Sequence, residues 1–62
     1  MGQRDSLVKT LTNAINAHWT VMLTFEQVEN WVGCDASTAQ ISEYIADVSL
    51  NPEAAVTPSD VL

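Results

Sequence analysis

A chain of 62 residues, 47% of them apolar, suffices for one small domain and leaves no room for a second, or for an enclosed substrate cavity of any size. Eight acids against two bases give a net charge of −6, which sets the chain against polyanionic partners, and no apolar run is long enough to cross a bilayer. The polar start lacks the apolar stretch of a signal peptide, and the single Cys34 has no internal disulfide partner; both favour a reducing, cytoplasmic setting.

Met1 to Asp5 reads as a polar arm. Met-Gly-Gln-Arg-Asp-Ser has the Gly2 to Ser6 spacing of an N-myristoylation site, a short pattern that arises often by chance and lacks a basic patch to assist a lipid anchor. The first helix is expected over Ser6–His18, capped by Asp5 or Ser6. Its broad apolar face is Leu7, Val8, Leu11, Ala14, Ile15 and Trp19, with Thr10, Asn13 and Asn16 mostly on the other side. His18 stands alone without a second ligand at metal spacing, so a place in the favourable field of a helix C-terminus is its expected role.

Trp19 to Phe25 alternates apolar and polar residues, the period of a strand. Such a strand would find a partner only in a second copy of the chain, an arrangement resembling the ribbon-helix-helix regulators. A tight connection between helices is preferred, because Thr24 and Gln27 have the spacing of a capping box and Leu23 and Val28 that of a hydrophobic staple. The second helix then carries Phe25, Val28 and Val32 on one face with Trp31 beside them, and Gly33 ends it. Cys34 is expected as a small buried thiol in the turn. Ser37 and Gln40 repeat the capping-box spacing, with Asp35 as a competing cap. Ile41, Tyr44, Ile45 and Val48 follow as a helical stripe, closed by Asn51-Pro52. Asn51 to Leu62 lacks a clear period and reads as a flexible tail.

The fold expected is therefore all-α: a three-helix bundle over 1–50 and a tail over 51–62. The predicted core is Leu7, Leu11, Ile15, Trp19, Leu23, Phe25, Val28, Trp31, Val32, Ile41, Tyr44, Ile45 and Val48. So small a core is short of buried area, which a homodimer would supply.

Thr24–Ile45 resembles a helix-turn-helix, with Val28 and Gly33 at positions comparable to the family's first-helix aliphatic and turn glycine. The resemblance implies DNA binding through the second helix of the pair. The chain departs from the pattern at Glu29, where the family has a small residue, and at Ala39, where a branched aliphatic is usual. Above all, nothing after Lys9 is basic, while every acid except Asp5 lies in that span. Phosphate neutralisation supplies most affinity for DNA, and Glu43 and Asp47, one turn apart on the would-be recognition helix, oppose it.

The acids have other readings. Glu43 with Asp47, and Glu26 with Glu29, lack the cleft an acid–base dyad needs, and no loop places oxygen ligands at alternate positions for Ca²⁺. No glycine-rich phosphate loop or nucleophile–base pair is present, so no catalytic residue, metal or cofactor is assigned and the chain is not expected to be an enzyme. Acidic faces do steer association with positively charged partners. The sequence thus favours a small regulator or inhibitor, of the kind a phage or mobile element carries, which binds a basic surface such as that of a nucleic-acid-handling protein. Its binding residues would be Glu26, Glu29, Glu43 and Asp47, with Trp31 as a half-exposed anchor. The alternative is a helix-turn-helix transcriptional regulator that reaches DNA as a dimer through Arg4 and Lys9.

Overall fold

A computed structural model describes residues 2–62, so the Met1 on which the lipidation-like pattern begins lies outside the described residues. Those residues are all-helical and contain no strand: α1 Gln3–Trp19, α2 Phe25–Val32, α3 Thr38–Leu50, a 3₁₀ turn Pro52–Ala54, and a one-turn α4 Pro58–Val61. The described part is thus a four-helix arrangement rather than a bare three-helix bundle. α2 and α3 both pack on α1, the 3₁₀ turn packs on α3, and α4 returns to α2. The whole measures 27 × 21 × 16 Å.

α1 begins earlier than its sequence implies. Gly2 is the N-cap, its carbonyl accepting from the Asp5 amide at 3.1 Å, and neither Asp5 nor Ser6 acts as cap because both lie within the helix. The extension has a tertiary cause: it carries Arg4 to the turn between α2 and α3, where Nε donates to the Ala36 carbonyl at 3.2 Å and Nη2 to that of Gly33. A guanidinium on carbonyls that follow a helix C-terminus is favourable for both hydrogen bonding and dipole. The inward face holds Val8, Leu11 and Ile15, all fully buried. Thr12 is buried with them, its hydroxyl satisfied by the Val8 carbonyl at 2.8 Å.

α1 ends on Thr20, which adopts φ 55° and ψ 53°. A β-branched residue in the left-handed region is strained, and the surrounding bonds hold it there: the Val21 amide reaches back to the Asn16 carbonyl at 3.1 Å. The Asn16 side chain then grips Leu23 from both ends. Its Nδ2 donates to the Leu23 carbonyl at 2.9 Å and its Oδ1 accepts from the Leu23 amide at 2.8 Å. The connection is tight and not a strand, and the polar residue expected to face solvent is what fixes it.

α2 starts as its sequence predicts. Thr24 Oγ1 accepts from the Gln27 amide at 3.1 Å, and Gln27 Oε1 accepts from the Thr24 amide at 2.9 Å. Leu23 and Val28, the staple pair, are both buried. At the other end Gly33 takes φ 78°, ψ 164°, a conformation that only glycine adopts at little cost. α3 has half of its expected box. Ser37 accepts from the Gln40 amide at 3.2 Å, but Gln40 Nε2 turns outward and donates to Tyr44 Oη at 3.0 Å.

Three expectations are corrected by packing. Cys34 is exposed, because Ala36 takes the inward place in the turn, and its thiol donates to Asp35 Oδ1 at 3.4 Å; the N-cap of α3 is Ser37, not Asp35. Phe25 is 37% exposed, since at the first turn of α2 it lies against the outer side of α1 near Ser6 and Lys9. The segment after Asn51 is no loose tail: Ala55 and Val56 are buried and Val61 packs on the core. Small apolar residues there complete a core that three helices leave incomplete. Asp60 ties down the start of α4 by accepting from the Thr57 amide at 3.1 Å.

Candidate functional site

α2 and α3 meet where Trp31 and Tyr44 form a tilted ring pair, centroids 5.0 Å apart and planes at 55°. Both rings are partly exposed and rest on the core below. The pair follows from the helical stripes. Val28 and Ile41 point inward, so each ring, three residues further on, sits at the rim of the buried face. Gln40 fixes the phenol by donating to its oxygen.

The five residues singled out from sequence do not make one patch. At 100° per residue, positions 29 and 31 point to nearly opposite flanks of α2. Glu29 accordingly lines a hollow with Arg4, Asn30, Gly33 and Cys34, while Trp31 faces Tyr44. Glu26, exposed, is 60° from Glu29 and belongs to that flank. Glu43 and Asp47 stand one turn apart on α3, with Asp47 only 60° around the helix from Tyr44. Glu43 is exposed and Asp47 partly so. The structure therefore brings Trp31 to Tyr44; on α3 Asp47 lies 60° around the helix from Tyr44 and Glu43 100°, and Glu26 and Glu29 lie on a separate acidic flank of α2. Tyr44, read from sequence as core alone, belongs to this surface. Its i−4 spacing from Gln40 was the available signal, obscured by the competing reading of Gln40 as a capping residue.

Among the described residues no group of three His, Cys, Asp or Glu side chains is placed to hold a metal ion. His18 is exposed in the last turn of α1 with its ring edge-on to Trp19, centroids 4.5 Å apart. No described helix is long and apolar enough to cross a membrane. Of the two bases, Arg4 is committed to the carbonyls of the α2–α3 turn, and Lys9 is exposed on α1.

The chain matches no protein-family model, no characterised protein and no solved structure with which it was compared.

Proposed function

We propose that this protein is a small, non-enzymatic interaction module that acts as a regulator or inhibitor by binding a basic surface on a partner protein, such as one that handles nucleic acid. The single observation that carries the reading is the state of the two bases. Arg4 is tied to the Gly33 and Ala36 carbonyls and Lys9 stands alone on α1, so no basic cluster forms among the described residues, while a chain of net charge −6 presents carboxylates on α2 and α3. Such a field steers encounter with a cationic surface and repels phosphate. Binding to a purified basic protein or polycation is expected to be salt-sensitive and to be lost on Glu43→Lys with Asp47→Lys. Binding that survives this double charge reversal at ~50 mM salt, where electrostatic association is strong, defeats the reading.

The second reading is a helix-turn-helix regulator, favoured by the succession of α2, a glycine turn and α3. It needs a phosphate clamp, and Arg4 is engaged elsewhere. Retention on mixed duplex DNA at ~50 mM salt, weakening steeply as salt rises, would establish this reading over the first.

A further inference from the structure

We propose that the Trp31–Tyr44 seam is a docking surface for arginine side chains in a basic segment of the partner. This inference rests on the acidic-module reading and narrows it to one surface and one type of cation. Three observations carry it. The rings are partly exposed, 5.0 Å apart, and belong to two different helices that are each held on α1, so the seam is preformed. Asp47, partly exposed, lies 60° around α3 from Tyr44, and Glu43, exposed, one turn before it, supplying charge complementary to a cation. The chain's own cations do not serve: Arg4 is bonded to the Gly33 and Ala36 carbonyls on the other flank of α2, and Lys9 borders Phe25 on α1.

The occupant follows from the chemistry of the seam. A guanidinium is planar and weakly hydrated, stacks on aromatic faces, and pairs bidentately with carboxylates. An ammonium is compact and strongly hydrated and gains less from the rings. A surface of carboxylates alone would respond to charge and not to cation type. Rings beside carboxylates should distinguish arginine from lysine.

The test titrates the intact protein with two peptides of equal length and charge, one arginine-rich and one lysine-rich, at ~50 mM salt, followed by NMR. The expected result is arginine binding about 2–5-fold tighter per engaged side chain, with the largest shifts at the Trp31 indole N–H, Tyr44 and Asp47 and little change at Glu29. Trp31→Leu should abolish the preference for arginine, its fold being checked by circular dichroism. Mapping on the unmodified protein gives an independent answer if that variant unfolds. Equal affinities, or shifts centred on Glu26 and Glu29, overturn the inference and leave the acidic-module reading standing. Failure of both peptides to bind overturns both.

Discussion

Asn16 shows how much one side chain can decide. It sits within α1, where asparagine is a mediocre helix former, yet both ends of its amide are bonded to the backbone of Leu23. Leu23 is buried at 8% exposure, so its amide and carbonyl have little water to turn to if Asn16 is removed. Leaving buried polar groups without partners costs about 1–3 kcal/mol. Asn16→Ala is therefore expected to lower stability by about 2 kcal/mol despite its better helix propensity, which returns only about 0.5 kcal/mol. Urea unfolding monitored by circular dichroism measures it, and a neutral or stabilising result would show that the clamp contributes nothing. Neither this contact nor that of Arg4 was legible in the sequence. Both run from a side chain to a distant backbone group, and such a bond needs only proximity, which leaves no period or spacing behind. Thr24 and Gln27 were legible because their bonds close within one helical turn.

At the scale of elements the same distinction holds. The α2 start, the glycine turn and the α3 stripe are set by neighbours three or four residues away, and the sequence locates all three. The C-terminal segment is set by what the other helices fail to cover. Ala55, Val56 and Val61 carry no helical or strand pattern, yet the first two are buried and the third packs against the core. The 3₁₀ turn holds this strap to α3, and α4 holds it to α2. Burying a valine side chain is worth about 1.5–3 kcal/mol, a large share of what so small a domain has. Truncation after Asn51 should therefore lower Tm by at least ~10 °C, at ~4–8 °C per kcal/mol. An unchanged melting curve would mean that the strap is dispensable. Of the residues singled out from sequence, Trp31 and the α3 acids lie apart from Glu26 and Glu29, with which charge and exposure group them. The separation of positions 29 and 31 follows from helical angle alone, which a grouping by charge and exposure does not apply.

The molecule as a whole is shaped by its charge. Its longest extent is 27 Å and the net charge is −6, while the Debye length is ~30 Å at 0.01 M salt and ~8 Å at 0.15 M. At low salt every excess carboxylate feels the others, and at physiological salt only near neighbours count. Two like charges ~16 Å apart in water repel by about 0.3 kcal/mol, and unfolding roughly doubles the separations, since an unfolded chain of this length has a radius of gyration of about 24 Å against 10.4 Å folded. Summed over the excess charges and screened, the difference amounts to about 1 kcal/mol between the two salt conditions. Raising salt from ~0.01 to ~0.15 M is accordingly expected to raise Tm by about 4–8 °C; a fall would mean that attractive ion pairs, not self-repulsion, dominate the fold. The sign matters for function as well. Salt should weaken binding to a cationic partner while it strengthens the fold. Affinity lost on adding salt is then attributable to screening of the interface, because over the same range the protein itself becomes more stable.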